Sequence, residues 1–260
     1  MTRIRFYGEG LAGFTRTRAL PGRLIVVEGT DGVGRSTQIA LLREWVESKG
    51  YAVQSTGLKR SDLAGKGIKE AMQGHTLGNL TSNLFYATDM ADRLEKIIIP
   101  ALRAGFVVLT DRYIYSIIAR AMVRGVDPAW IRDVFGFALV PDVVLYLHAD
   151  LPHLIPRVLN ARGFDYWESG MDFLPNRDYY DAFVEYQSRL LAQFEAIAEE
   201  YDFHRVDATR SIRAVFQDLK DGIQDVLAGM KPIHPELAEA ELAEAQTRSK
   251  AGARVLKGET

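Results

Sequence analysis

A glycine-rich octapeptide constrains the fold of this chain more than any other feature. Residues 29–36 read Gly-Thr-Asp-Gly-Val-Gly-Arg-Ser. They follow the apolar, β-rich run RLIVVE at 23–28, and they precede residues 37–49, where apolar side chains recur at helical spacing until Gly50. A strand, a glycine-rich turn and a helix in this order open a βαβ unit.

The octapeptide has the spacing G-x-x-x-x-G-[K]-[ST] of a phosphate-binding loop. Its glycines let backbone amides turn inward, and the positive end of the following helix attracts anions. We therefore predict a site for nucleotide phosphates and for Mg²⁺, with the Ser36 hydroxyl as a metal ligand. The predicted phosphate-binding residues are Gly29, Thr30, Asp31, Gly32, Val33, Gly34, Arg35, Ser36 and Thr37.

Position 35 departs from this pattern, because arginine stands where lysine is expected. Arginine keeps the charge, but its guanidinium is planar, longer and forked, so the exchange is not conservative at a confined site. Two interpretations follow. Either Arg35 binds phosphate oxygens in a slightly wider loop, or the loop is a catalytically weakened relic that binds nucleotide or merely turns the chain.

Strand and helix patterns alternate along the rest of the chain. Short β-rich runs predict strands at 23–28, 51–55, 106–110, 143–147 and 204–206. Helical spacing predicts helices at 37–49, 62–73, 81–103, 128–137, 151–160, 178–201 and 212–227, with Asp127 as the N-cap of the fourth. This alternation predicts a three-layer α/β/α fold of the P-loop class with a five-stranded parallel sheet.

Composition narrows the classes of function. Lys and Arg (32) nearly balance Asp and Glu (34), so the net charge of -2 predicts neither nucleic-acid nor membrane partners. The chain has no cysteine, which excludes disulfides and thiol chemistry, and its five histidines lack metal-ligand spacing. With no apolar run long enough to span a bilayer and no signal-like start, a soluble, cytoplasmic protein is expected.

The length of 260 residues predicts one domain with appendages. We assign residues 1–22 to an N-terminal extension, 23–229 to the P-loop domain and 230–260 to a charged, solvated tail. A second interpretation makes part of this tail a helix that binds a partner.

A second charged motif stands at the end of a buried strand. The run FVVLT is followed by Asp111, Arg112 and Tyr113, which places an acid and a base at the carboxyl edge of the sheet. On its own, this pair is a strand-end ion pair. Together with the phosphate loop, it makes residues 23–228 resemble the thymidylate kinase family, through VVEGTDGVGRSTQ, the arginine in GLKRSDLAGK and the DRYxxS motif.

The resemblance implies roles for these residues. In relatives of this type the acid corresponding to Asp111 works with Mg²⁺ and the phosphates, and Ser116 matches the serine of the motif. Arg60 and Arg112 correspond to arginines that hold the acceptor's phosphate. Asp31 corresponds to an acid that bonds the deoxyribose hydroxyl, and Tyr113 to a tyrosine that crowds the sugar's 2′ position.

The base site departs from the family pattern. Tyr86 matches an aromatic that stacks on the base, although a core aromatic on a long helix is an equal alternative. Four residues later relatives carry an arginine that reads the thymine carbonyl, and this chain has Met90. Arg93, one turn further along, is the candidate substitute, and a different acceptor base is the other interpretation.

The family also has a mobile lid, which we place at about 160–178. Its arginines reach the transferring phosphoryl group, and we assign that role to Arg157 and Arg162. The alternative is that both are solvated charges at a helix end. Tyr166, Trp167 and Phe173 suggest that the segment folds over a ligand or over its own core.

By resemblance, the chain is expected to be a magnesium-dependent homodimeric kinase that transfers phosphate from ATP to a nucleoside monophosphate, dTMP giving dTDP. Two alternatives stay open at this point. One is a non-catalytic nucleotide-binding protein on a kinase fold, and the other is a P-loop kinase for a different small acceptor.

Overall fold

Five parallel strands form one sheet in the order β2-β3-β1-β4-β5. The computed structural model describes residues 4–11, 20–74 and 77–237. The strands are β1 Arg23–Glu28, β2 Val53–Gly57, β3 Val107–Asp111, β4 Val143–His148 and β5 His204–Asp207. All pairs are parallel, so the carboxyl ends of all five strands lie at the same edge.

Helices cover both faces of this sheet. Their bounds are α1 Arg35–Ser48, α2 Gly65–Gln73, α3 Asn79–Arg93, α4 Ile99–Arg103, α5 Ile114–Val123, α6 Pro128–Val134, α7 Leu151–Ala161, α8 Tyr179–Glu200 and α9 Ile212–Ala228. A π-helical turn, Leu94–Ile98, joins α3 to α4. The structure confirms the predicted three-layer α/β/α architecture.

The sheet separates two hydrophobic cores. Leu24 and Val26 of β1 belong to the core that includes residues of α3, α5 and α8. Ile25 and Val27 alternate with them and pack in the second core with α1 and α9. Because side chains alternate across a strand, a central strand with helices on both faces must be apolar throughout, which accounts for the run RLIVV.

The helix predicted at 81–103 is present but interrupted. The π-helical turn precedes Pro100, which stands in the first turn of α4. Proline has no N–H to donate and clashes with the carbonyl four residues back, so the helical hydrogen-bond pattern shifts at this point. Further along, the side chain of Asp127 accepts a hydrogen bond from the Trp130 amide, which confirms the predicted N-cap of α6.

The sequence pattern did not predict α5, which follows β3 closely. Seven of its ten residues are buried, because α5 packs against α8 and α3 as well as the sheet. A helix buried on several sides has no polar stripe, so its sequence IYSIIARAMV lacks amphipathic spacing. This helix carries Arg120, which proves central to the site, and Arg124 follows its last residue.

Segments at both ends of the described chain pack against the domain. Phe6 forms an antiparallel bridge with Leu139, and the Tyr7 amide donates to Ala138 O at 3.1 Å. After α9, the Ile233 amide donates to Gly50 O at 2.9 Å. Residues 238–260, most of the predicted tail, lie outside the described residues. None of the helices that the structure describes is both long and apolar enough to cross a membrane.

Truncation of a core leucine tests this architecture. Leu145, in β4, is fully buried, whereas Leu159 of α7 is 50% exposed. Leu145→Ala is expected to lower the free energy of unfolding by about 2–5 kcal/mol through lost burial and a residual cavity. Urea denaturation followed by circular dichroism measures the change. Leu159→Ala is the matched control, and an equal loss in both variants would contradict the assignment of Leu145 to the core.

Candidate active site

Three loops meet at the carboxyl edge of the sheet. Val27 of β1 and Gly57 of β2 both pair with Asp111 of β3, so these strands end side by side. The residues that follow these three strands are therefore neighbours. They comprise residues 29–34 after β1, Lys59 and Arg60 after β2, and Arg112 after β3. Open α/β sheets bind their ligands at this edge.

The predicted phosphate loop passes closely over the sheet. Gly29 has φ 143°, and a Cβ there would lie 2.5 Å from the carbonyl oxygen of Leu147 in β4. Gly34 caps α1 with φ 97°, in the left-handed region that favours glycine. Arg35 and Ser36 are thus the first residues of α1, with Ser36 exposed. The amides of this first turn have no intrahelical partners and can bind an anion.

Arg35 is held within its own loop. Its Nη1 donates to the carbonyl oxygens of Gly29 and Thr30, each at 2.5 Å, and its Nε donates to Asp111 Oδ1 at 2.9 Å. The Arg35 side chain is 10% exposed. The forked guanidinium therefore joins the loop to the end of β3, which an ammonium with one nitrogen cannot do in the same way.

Asp31 is the centre of an arginine cluster. Arg112 donates to Oδ1 and Arg120 of α5 to Oδ2, the latter at 2.7 Å. Nη2 of Arg35 and Nη2 of Arg162 lie 3.8 and 3.9 Å from Oδ1. Burial alone would raise the pKa of this carboxyl, but Arg112, Arg120 and Arg35 outweigh it and hold the pKa well below its usual range.

Arg112 adopts a strained backbone conformation. Its φ is 67°, which is uncommon for a residue with a side chain, and its amide donates to Val27 O at 3.0 Å. Its Nε is buried and has no hydrogen-bond partner among the described residues. Burial, together with Arg35, lowers the pKa of Arg112 to about 10, although Asp31 opposes the shift. At neutral pH the side chain remains a cation with an unused donor.

Ser36 and Asp111 offer oxygen ligands of the kind that Mg²⁺ prefers. Asp111 Oδ1 accepts from Arg35, while its Oδ2 lies 3.9 Å from Arg60 Nη2 and retains lone pairs. Among the described residues no group of three or more His, Cys, Asp or Glu side chains is placed to hold a metal. These two residues therefore suit an ion that completes its coordination with phosphate oxygens and water.

A cavity of about 410 Å³ opens beside the arginine cluster. Arg112, Arg120 and Arg162 lie on its wall, as do Tyr86 of α3 and Trp167. Its lining combines aromatic rings, amides and charged groups, which is typical of a pocket for a small polar ligand.

The comparisons with known proteins identify the family. The thymidylate kinase family model matches residues 27–219, a span that contains the phosphate loop, Asp111 and the residues around the cavity. The chain belongs to the thymidylate kinase family.

Two similar proteins match over nearly their full length. A probable thymidylate kinase 2 of Saccharolobus solfataricus is 36% identical over 201 residues, which are 76% of this chain and 94% of that protein. A probable thymidylate kinase of Thermococcus gammatolerans is 32% identical over 220 residues, which are 80% of this chain and 100% of that protein. The family resemblance inferred from the loop and the DRY motif is thereby confirmed.

The segment predicted to be the lid borders the cavity. Trp167 Nε1 donates to Met72 O of α2 at 2.9 Å, and Gln187 of α8 donates to Glu168 O at 2.8 Å. Arg162, Trp167 and Glu168 all line the cavity, and Arg162 is paired with Glu168. Arg157 points elsewhere, because its Nη1 donates at 2.9 Å to Ala208 O, beyond β5. Of the two predicted lid arginines, the structure brings only Arg162 to the cluster around Asp31.

Tyr113 and Ser116 need correction as substrate contacts, since both are buried. The Tyr113 hydroxyl donates to Leu139 O at 3.0 Å, inside the core. Glu28, also buried, accepts from the Tyr113 amide at 2.8 Å and from the Ser116 hydroxyl at 2.6 Å. Burial raises the pKa of Glu28, while Ser116 and Tyr113 oppose the shift. The motif thus ties β1 to the start of α5 rather than lining the sugar site.

Met90 and Arg93 also need correction, since neither has exposed surface. Arg93 Nε donates to Asp89 at 2.9 Å, and Asp89 accepts from the Lys59 and Ser61 amides at 3.1 and 3.0 Å. Helical spacing places Arg93 one turn from Asp89, so the two form a buried pair that supports the loop after β2. Arg93 therefore does not read an acceptor base in this structure.

Tyr86 and Arg60 occupy positions that suit their predicted contacts. The Tyr86 ring lines the cavity, and Arg60, 53% exposed, lies beside Asp111. The sequence reading missed Lys59 and Arg120, which also line the cavity. Arg120 lies four residues after Ser116, a spacing that places both side chains on one face of a helix. This spacing could have indicated Arg120 only if α5 had been predicted.

Asp31→Asn tests whether this carboxylate neutralises the cluster. The variant is expected to lose about 2–3 kcal/mol of the free energy of unfolding at pH 7, because Arg112 and Arg120 lose their counter-charge. The folded-state pKa is depressed, so the stabilisation is complete above the ordinary carboxyl pKa of about 3.9 and declines as the pH falls below it.

Urea denaturation between pH 7 and 3 measures both effects. The difference in stability between wild type and Asp31→Asn should shrink toward pH 3. Asp133→Asn, at an exposed carboxylate, is the control and should stay within about 0.5 kcal/mol of wild type. A difference for Asp31→Asn that is constant with pH would rule out the charge-neutralising role.

Proposed function

We propose that this protein transfers the γ-phosphoryl group of ATP to a nucleoside monophosphate, converting dTMP to dTDP. The observation that carries the proposal is the surplus of positive charge at the sheet edge. Six cationic side chains there face three carboxylates, Asp31, Asp111 and Glu168. The cations are Arg35, Lys59, Arg60, Arg112, Arg120 and Arg162. Phosphate groups of a donor and an acceptor would neutralise this surplus.

The donor binds at the phosphate loop. Backbone amides of residues 32–36 face the β-phosphate, and Arg35 adds a guanidinium that Asp111 and the loop carbonyls already hold in place. Ser36 and Asp111 would hold Mg²⁺. When bound, the ion neutralises charge on the β- and γ-phosphates.

The acceptor binds in the cavity of about 410 Å³. Arg60 and Arg112 hold its phosphate, and the Tyr86 ring stacks on its base. An acceptor phosphate oxygen attacks the γ-phosphorus as the bond to the β-phosphate oxygen breaks, and ADP leaves. Phosphoryl transfer requires positioning and charge stabilisation rather than a nucleophilic side chain.

The lid adds a further cation. Arg162 is 57% exposed and lies within 3.9 Å of Asp31, close to both predicted phosphate sites. Lid contacts from Trp167 to Met72 would exclude water from the reacting groups. A magnesium-dependent reaction and a homodimer complete the proposal and rest on the family resemblance. A cytoplasmic location is added from the composition of the chain.

Steady-state ADP production tests this function. Wild type is assayed with ATP, Mg²⁺ and a panel of nucleoside monophosphates, and dTMP is expected to give the highest kcat/KM. Arg112→Ala should lower kcat/KM for dTMP by about 10³-fold, and Arg35→Met by about 10²–10³-fold, because each loses a cation facing the phosphates. Arg35→Lys should retain more activity than Arg35→Met.

Arg189→Ala serves as the matched control, since Arg189 is 51% exposed on α8 and pairs with Glu185. If no acceptor supports ADP production by wild type, and Arg35→Lys is also inactive, the kinase proposal is wrong for these acceptors. Calorimetric titration with ATP then shows whether the protein still binds the nucleotide without transferring phosphate or has lost the nucleotide site.

A further inference from the structure

Two basic residues beside the cavity share a strained backbone. Lys59 has φ 61° and Arg112 has φ 67°, and they follow the neighbouring strands β2 and β3. Such conformations cost free energy in residues with side chains and persist where the surroundings hold them. For Lys59, the buried pair of Asp89 and Arg93 provides this support through the hydrogen bond from the Lys59 amide.

Within the part of the chain that the structure describes, the Lys59 ammonium has no ion pair with a carboxylate. Among the residues that the structure describes, its hydrogen-bond contact is Met72 Sδ at 3.6 Å, and thioether sulfur is a weak acceptor. Lys59 is half-buried and lines the cavity. A partly desolvated ammonium without an oxygen acceptor favours an anion in the adjoining space.

Arg120 has spare donors at the same place. Its Nη2 donates to Asp31 Oδ2 at 2.7 Å, and among the described residues this leaves further N–H groups of its five for the cavity that it lines. Arg124, one turn further along at the C-terminal end of α5, differs. It is held by Asp172 at 2.7 and 2.9 Å and by the Tyr186 hydroxyl at 2.8 Å, so it fixes the lid to α8.

The neighbouring carboxylates do not satisfy these cations. Asp31 is already shared among arginines, and Glu168 is paired with Arg162. Lys59, Arg112 and Arg120 therefore leave uncompensated positive charge on one side of the cavity. A phosphate dianion supplies the charge and the oxygen acceptors that these donors lack.

We propose that Lys59 and Arg120, beside Arg112, bind the phosphate of the acceptor. The inference rests on the proposed function and extends it, because Arg60 and Arg112 were the acceptor-phosphate residues indicated by the sequence. The acceptor phosphate is thus bound by cations from three elements: the loop after β2, the turn after β3, and α5.

The environment of Lys59 adds a pH dependence. Burial lowers the pKa of Lys59 to about 8, and Arg120 and Arg112 act in the same direction, while Asp31 and Glu168 oppose the shift. The ammonium is the form that binds phosphate. Acceptor affinity should therefore be highest near pH 7, where the acceptor phosphate, with a second pKa of about 6, is mostly a dianion, and it should weaken as the pH rises through 8.

Other titratable groups lie around Lys59. Burial raises the pKa of Tyr86, which lines the cavity from α3, so Tyr86 stays neutral in this range. Lys69 lines the cavity from α2, and Asp89 faces the Lys59 amide. Lys59→Arg separates their contributions from that of Lys59, because arginine stays charged throughout the range.

Calorimetric titration tests the proposal with a charged and a neutral ligand. Kd for dTMP and for thymidine is measured in wild type, Lys59→Met and Arg120→Met at pH 7. Each variant should weaken dTMP binding about 10- to 100-fold, because a charge-assisted hydrogen bond is lost. Thymidine, which has no phosphate, should bind within about 2-fold of wild type. Lys66→Met is the control, since Lys66 is 86% exposed on α2.

A conservative variant, which keeps the positive charge, separates the loss of the Lys59 ammonium from a defect in folding. Lys59→Arg should bind dTMP at pH 7 as wild type does and should lose the weakening between pH 7 and 9. Equal losses for dTMP and thymidine, an unchanged Kd for dTMP, or a pH dependence that persists in Lys59→Arg would overturn the proposal. Transfer to dTMP by wild type with unchanged binding in Lys59→Met and Arg120→Met would leave the kinase function standing and refute the inference. If dTMP binding depends on Lys59 but wild type transfers no phosphate to dTMP, the kinase function is refuted and the inference about Lys59 stands.

Discussion

The carboxylate of Asp31 holds the site together. Unshielded guanidinium groups repel one another, and here Arg112 and Arg120 approach closely because each donates to one Asp31 oxygen. Arg35 and Arg162 lie within 4 Å of the same carboxylate. One acidic residue in the phosphate loop thus joins the turn after β3, the helix α5 and the segment predicted to be the lid. Without that shared counter-charge, a concentration of cations at a partly buried sheet edge would be strongly unfavourable.

The remaining positive charge gives the site its chemistry. One carboxylate cannot neutralise the surrounding cations, so the site favours ligands that bring several negative charges. Arg35 fits this arrangement in a way specific to arginine, since its fork bonds both the loop carbonyls and Asp111. The lid extends the same pattern, because Glu168 pairs with Arg162 and both lie on the cavity wall.

The sequence predicted the strand order along the chain, nearly all helices and the phosphate loop, because these are properties of consecutive residues. It failed at α5, where burial on several sides removes the amphipathic pattern, and therefore it did not indicate Arg120. It also placed Tyr113, Met90 and Arg93 in the acceptor site, whereas the structure buries all three. Motif spacing indicates which element a side chain belongs to, but not whether that side chain faces the cavity or the core.

The sequence by itself determined the P-loop class of fold, the loop glycines, the arginine at position 35 and the membership of the thymidylate kinase family. The tertiary structure alone decided which charges meet. Asp31 and Arg120 are 89 residues apart, and Lys59 reaches the same cavity from another strand end. Periodicity and loop spacing arise within short segments, whereas the contacts between charges depend on how the sheet and its helices pack, and that packing involves residues far apart in the chain.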